Sequence, residues 1–191
     1  MSRPTPSRKP RADASRNRDR ILEAARELFR ERGSEVQLPE VARTAGVGIG
    51  TVYRHFPTQA DLLDATAEHR FTEIENFART DCLEAPPGRA LIHYLTHVGE
   101  VLSADRGLSA AIESARASTG SEPRGATRSR LESLFEEIIA KDLAAGALRD
   151  DCSAADVYML VGAISATIRT RSGDWRRMLY IALHGLMTQP R

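Results

Sequence analysis

Between positions 51 and 55 the chain sets a hydroxyl, a phenol, a guanidinium and an imidazole in close succession: Thr51, Tyr53, Arg54 and His55. These groups hydrogen-bond, stack and carry positive charge, which is the chemistry of gripping phosphates and touching base edges. Gly48, Ile49 and Gly50 stand just before them and leave little side-chain bulk. Val52 and Phe56, four apart, give the segment a buried side and turn the other residues outward. A glycine inside a helix costs roughly 1 kcal/mol against alanine. The two glycines therefore make most sense in a first helical turn, where backbone can approach a partner closely and N–H groups point at an anion such as a phosphate.

A second short helix must position this one. Leu38, Val41, Ala42 and Ala45 recur at steps of three and four and place one apolar stripe on about two turns of helix. Pro39 stands in the first turn, where a missing N–H is tolerated. Gly46 follows the last apolar position as the residue of positive φ that ends the helix, and Val47 can plug the corner before a helix over residues 48–56. Two helices joined by such a turn form a helix-turn-helix, whose second member enters the DNA major groove with its N-terminal residues on base edges. In that geometry Thr51 meets a base or a thymine methyl, Ile49 makes apolar contact only, and Tyr53, Arg54 and His55 hold phosphates. A preceding helix over residues 16–32, with Ile21, Leu22, Ala25, Leu28 and Phe29 inward and Gly33 closing it, braces the pair.

The segment AGVGIGTVYRHFPTQADLL at residues 45–63, preceded by RDRILEAARELFRERG at 18–33, resembles the N-terminal domain of the TetR family of transcriptional regulators. The resemblance implies an all-α protein: a three-helix DNA-binding domain, a divergent helical ligand-binding domain, and a homodimer that leaves its operator when a small molecule binds. Position by position, Thr51, Tyr53 and His55 match the family's usual DNA contacts, and Gln37 stands where a threonine or serine commonly caps the second helix and touches phosphate. Ile49 occupies a position often polar or basic, and Gln59 replaces a frequent lysine. Both departures remove polar reach. The expected DNA-contacting set is Gln37, Gly48, Ile49, Gly50, Thr51, Tyr53, Arg54 and His55.

Three divisions follow: a disordered basic arm over residues 1–15, a helix-turn-helix domain over 16–62, and a helical ligand-binding and dimerisation domain over 63–191. Residues 1–20 hold seven basic side chains against two acidic ones, three prolines and almost nothing apolar, so they cannot build a core. Such a stretch is either an arm on phosphates or the minor groove or a solvated leader without a role. Charge follows the same division. Residues 1–60 carry twelve basic and seven acidic side chains, net +5, and the remainder fifteen and nineteen, net −4.

Beyond Phe56 the pattern is helical throughout. Thr58 caps a helix running to about Thr80 that joins head to body; Pro86, Pro87 and Gly88 break it. Helices over residues 89–104, 108–118 and 126–145 follow. A largely apolar cavity between them would be lined by Phe71, Ile74, Tyr94, His97, Val101, Leu134 and Ile138, with Tyr94 and His97 orienting a ligand; a solid core is the alternative. Helices over 154–170 and 175–187 are apolar on more than one face, so each needs two partners. A second subunit can supply one, through Tyr158, Val161, Gly162, Ser165, Trp175, Leu179 and Leu183, and a core pair buried in a monomer is the other reading. Two-fold symmetry would set two recognition helices about 34 Å apart on a pseudo-palindromic site.

Other chemistries find little support. Gly46, Gly48 and Gly50 resemble part of a dinucleotide fingerprint, but the third glycine comes one residue early and a helix precedes it. No GxxxxGK[ST], GxSxG or HExxH occurs, so no catalytic residues and no cofactor are expected. His93, His97 and Glu100 have ligand-like spacing, which a solvated helix edge explains equally well, and no metal is expected. Cys82 and Cys152 lack CxxC spacing. No run approaches about 18 apolar residues, and a cytoplasmic protein is expected. The reading is a DNA-binding regulator, most simply a repressor released by a small molecule; a regulator whose body binds a protein partner or nothing is the alternative.

Overall fold

Residues 9–117 and 120–186 are described by the computed structural model, and they form an all-α fold. The helix-turn-helix head comprises α1 (Lys9–Arg32), α2 (Leu38–Ala45) and α3 (Ile49–His55). The body comprises α4 (Gln59–Phe77), α5 (Ala90–Ala104), α6 (Arg106–Arg116), α7 (Gly125–Ala144), α8 (Ala154–Thr170) and α9 (Trp175–Leu186). Among the described residues no helix is long and apolar enough to cross a membrane.

One boundary differs in kind from expectation. Helix α1 begins at Lys9, so residues 9–15 of the expected disordered arm are helical, while residues 1–8 lie outside the described residues. Pro10 falls in the first turn, where it removes no helical hydrogen bond. Alanine and arginine are good helix formers, and Asp13 pairs with Arg16 one turn on. Ile21, Leu22, Ala25 and Phe29 of α1, all at 0 % exposure, then anchor the helix against α2 and α4.

Helix α4 belongs to both halves. Thr58 and Asp61 form a capping box at its start, with Thr58 Oγ1 accepting from the Asp61 N–H at 3.1 Å and the Thr58 N–H donating to Asp61 Oδ2 at 3.0 Å. Leu62 and Leu63 are buried in the head, and Phe71 and Ile74 in the body. The helix gives way at Phe77 to a widened turn, Ala78–Cys82, before the proline break.

In the body, α5 packs against α7, α8 and α9. Its N-terminus is capped from outside: Asp142 of α7, 1 % exposed, accepts from the Ala90 and Leu91 N–H groups at 3.3 and 2.9 Å. Further along, a Cβ on Gly99 would lie 2.2 Å from the Trp175 ring, so the missing side chain is the space in which the indole sits. Trp175, Leu179 and Leu183 are consequently buried within the protomer, at 6 %, 4 % and 4 % exposure. The expectation that they face a second subunit is corrected. The outward apolar side chains of the last two helices are instead Met159, Tyr180 and Ile181, at 64 %, 53 % and 59 %.

Gly99→Ala is expected to displace Trp175, the chain's only tryptophan, at a cost of about 1 to 3 kcal/mol for overpacking. Urea unfolding followed by fluorescence checks this: a lower midpoint with a red-shifted native emission is expected, and an unshifted emission contradicts the packing.

Candidate nucleic-acid interface and internal cavity

The turn between α2 and α3 is built as its sequence demands. Gly46 adopts φ 62°, its N–H donates to the Arg43 carbonyl at 3.2 Å, and the Val47 N–H reaches the Ala42 carbonyl at 3.0 Å. This paired closure is the Schellman pattern. Arg20 Nη2 of α1 donates to the Gly46 carbonyl at 3.3 Å and ties the turn to the brace. Val52 and Phe56 are buried, which fixes the roll of α3 about its axis.

That roll leaves Ile49, Gly50, Tyr53 and Arg54 exposed, with Tyr53 at 49 %, while Thr51 and His55 are half-buried. Gly48 precedes the helix with an ordinary φ of −68°, and a Cβ at Gly48 or Gly50 would meet nothing within 4 Å. Neither glycine is required by the fold of the protomer. Their smallness leaves room for something outside it. Gln37, exposed at the start of α2, makes no capping hydrogen bond through its side chain. Gln59 does not face this surface freely, because its Nε2 donates to the Ser34 carbonyl at 2.8 Å and closes the loop after α1. Arg18, counted in the sequence only among the basic residues of the 1–20 segment, has its guanidinium 5.5 Å from the Phe56 ring centroid and adds an exposed cation beside the end of α3.

The head is coupled to the body by a charged junction. Arg26 of α1 donates from Nε to Asp105 Oδ2 at 3.0 Å, pairs with it through Nη2 at 2.8 Å, and also pairs with Glu73 of α4. Burial opposes its charge, but hydrogen bonds and attraction to Asp105 and Glu73 raise its pKa above the ordinary arginine value. A Cβ on Gly107 of α6 would lie 2.3 Å from the Phe29 carbonyl oxygen, so α6 rests directly on α1 backbone.

Within the body, α4, α5, α7 and α8 and the loop at 121–123 enclose a mostly apolar cavity of about 50 Å³. Phe71 and Ile74 of α4, Tyr94 of α5, and Leu131 and Phe135 of α7 contribute walls. Arg70 also lines it, although it is 0 % exposed. The Tyr94 ring meets Phe135 edge-on at 5.0 Å, and burial pushes its phenol up.

The structure redistributes the remaining expected residues. His97 is not at the cavity: it stacks on Phe77 with ring centroids 3.6 Å apart in an outer groove, and burial lowers its pKa. Val101 packs against the core outside the cavity. Leu134 and Ile138, both at 0 % exposure, are core residues, because α7 turns Leu131 and Phe135 toward the cavity instead. Tyr158, Val161, Gly162 and Ser165, expected at a subunit interface, line the cavity from α8. Cys82 and Cys152 are buried free thiols, and burial pushes Cys82 up to about 12. Among the described residues no group of three or more His, Cys, Asp or Glu is placed to hold a metal ion.

An N-terminal helix-turn-helix on an all-helical body with its own cavity defines a class of two-part helical regulators. Residues 21–66 match the family of bacterial regulatory proteins of tetR type, and residues 86–188 match the C-terminal domain of SbtR-like transcriptional regulators. A TetR transcription regulatory protein from Mycobacterium vanbaalenii is 33 % identical, covers 93 % of this chain and 99 % of its own, and superposes with a TM-score of 0.72. A TetR transcriptional regulator from Streptomyces coelicolor is 30 % identical over 91 % and 99 % of the two chains, with a TM-score of 0.71. An HTH-type transcriptional regulator of Staphylococcus aureus is 47 % identical over 53 residues; the match spans 27 % of this chain and only 29 % of that curated relative. The chain belongs to the TetR family. Its relatives are regulators rather than enzymes.

Gly50→Ala is expected to stabilise the isolated protein by up to about 1 kcal/mol, since helix propensity improves and the space is open. The same change is expected to weaken DNA binding. Urea unfolding and fluorescence anisotropy on one preparation check both, and unchanged DNA affinity contradicts the assignment of the glycine to close approach.

Proposed function

We propose that the protein is a cytoplasmic, homodimeric DNA-binding transcriptional regulator, most simply a repressor, which a small molecule in the body cavity releases from a pseudo-palindromic operator. The observation that carries the DNA reading is α3 itself: an exposed face of Tyr53, Arg54 and Ile49 behind two glycines that the fold does not require. Gln37, Gly48, Ile49, Gly50, Thr51, Tyr53, Arg54 and His55 remain the proposed contacts, with Arg18 added at the phosphate edge. Thr51 and Ile49 meet bases near the start of α3, and the larger polar groups hold the backbone.

Dimerisation is proposed through the outer faces of α8 and α9. Met159, Tyr180 and Ile181 expose apolar surface there, and Ala163 and Ala166 allow close helix approach. Phe71, Ile74 and Tyr94, together with the α8 residues Tyr158, Val161, Gly162 and Ser165, are the proposed ligand contacts. A ligand between α4 and α8 would move the wall that α4 provides, and only three residues separate α4 from the end of α3. Release then follows as a reciprocal coupling: whatever ligand does to DNA affinity, DNA does to ligand affinity.

Selection of bound sequences from random DNA is the experiment for the whole reading, and it is expected to enrich two inverted half-sites about one helical turn apart. A variant carrying Met159→Glu and Ile181→Glu is expected to sediment as a folded monomer and to bind the selected DNA at least about tenfold more weakly, because paired half-sites add through linkage. A dimer surviving both charges overturns the interface.

A further inference from the structure

Arg70 is the most unusual charge among the described residues. It sits on α4 at 0 % exposure, and its hydrogen bonds all go to neutral oxygens: Nη1 to Ser109 Oγ at 2.9 Å, and Nη2 to the Ser121 carbonyl and Oγ, each at 3.3 Å. Its Nε is buried with no hydrogen-bond partner among the described residues. The carboxylate whose field reaches it, Asp105, is held by Arg26, and other arginines, Arg26 and Arg116, act on it with like charge. Burial lowers its pKa to about 10, which leaves the guanidinium charged at neutral pH. A buried charge without an opposite partner is costly by several kcal/mol. Here the charge borders a cavity.

The rest of that cavity fixes the shape of a complement. The Arg70 guanidinium lies 5.0 Å from the Phe71 ring centroid, and the remaining walls are largely apolar, from Ile74, Val98, Leu131 and Phe135. Tyr94, 3 % exposed, adds a phenol that donates no hydrogen bond among the described residues. Glu122 also lines it and is exposed to solvent, which leaves Arg70 as the buried charge at the cavity. The volume of about 50 Å³ holds a few water molecules at roughly 10 to 15 Å³ each. That favours a small ligand over a long chain.

We propose that the cavity binds a monocarboxylate of two or three carbons, its carboxylate paired with Arg70 and its hydrogen bonds completed by Tyr94. The pairing follows guanidinium chemistry, since the planar fork of donors matches a carboxylate. It rests on the reading of the body as a ligand-binding domain and names the ligand class for it. It also places the anion on the helix that joins head to body, beside the Arg26–Asp105 junction, where neutralising Arg70 alters the field at Asp105.

The test uses the full-length protein with acetate and propionate as probes and acetamide and propionamide as their neutral counterparts. Calorimetry and thermal melting are expected to show saturable stabilisation by at least one acid, with the matching amide at least about tenfold weaker, the loss of one charge-assisted pair. Arg70→Met is expected to abolish the preference for the acid, and Arg70→Lys to retain part of it. Should Arg70→Met fail to fold, the acid and amide comparison on the natural sequence decides alone. Amides that stabilise as well as acids overturn the carboxylate assignment and leave the cavity as a ligand site. Binding by neither class, or acid binding untouched by Arg70→Met, overturns the proposal. Affinity of the same preparation for the selected DNA, measured without probe, keeps the DNA reading separate from all these outcomes.

Discussion

A single uninterrupted helix, α4, carries the core of the head at one end and the wall of the body cavity at the other. Its start is fixed by the Thr58 and Asp61 capping box and by Leu62 and Leu63 in the core beneath the helix-turn-helix. Two turns later the same rod presents Arg70, Phe71 and Ile74 to the body. A packed helix moves as a body rather than bending residue by residue, so a displacement at the cavity wall is not absorbed before it reaches Thr58. The rest of the architecture depends on that continuity.

A second connection limits how α4 can move. Asp105, 1 % exposed at the junction of α5 and α6, is paired with Arg26 of α1, while Gly107 lets α6 sit on the carbonyls of Phe29 and Arg30. Buried pairs of this kind add little net stability over an apolar contact, yet removing one partner strands a charge. Such a junction specifies one register between head and body. Arg70 lies within the field of the same carboxylate, so the cavity and the junction share an electrostatic environment as well as a helix.

How much of this was legible in the chain depended on whether the determining contact was local. The α2 turn was readable from Gly46 following a complete apolar stripe, and the roll of α3 from Val52 and Phe56. Helix α8 runs over the residues its pattern predicts. What periodicity could not say is which part of a wide apolar stripe faces a cavity. Leu131, Leu134, Phe135, Ile138 and Ile139 cover a broad arc of α7, and the choice between core and cavity is made by distant neighbours. Trp175 depended on Gly99, 76 positions earlier. Arg70 was passed over because an arginine among polar residues reads as solvated, although its place in the series Leu63, Ala67, Arg70 and Ile74 put it on the buried face. The start of α1 at Lys9 was missed because no apolar stripe marks it.

The claim that binding at the head and the state of the cavity are one equilibrium can be examined without any small molecule. Amide hydrogen exchange of the full chain would be compared free and saturated with its selected DNA. Reciprocal coupling predicts altered protection in α2 and α3 and also in the cavity walls of α4 and α8, around residues 70–77 and 158–165. Changes confined to residues preceding Thr58 would contradict it, and would make the body a passenger on its own DNA-reading head.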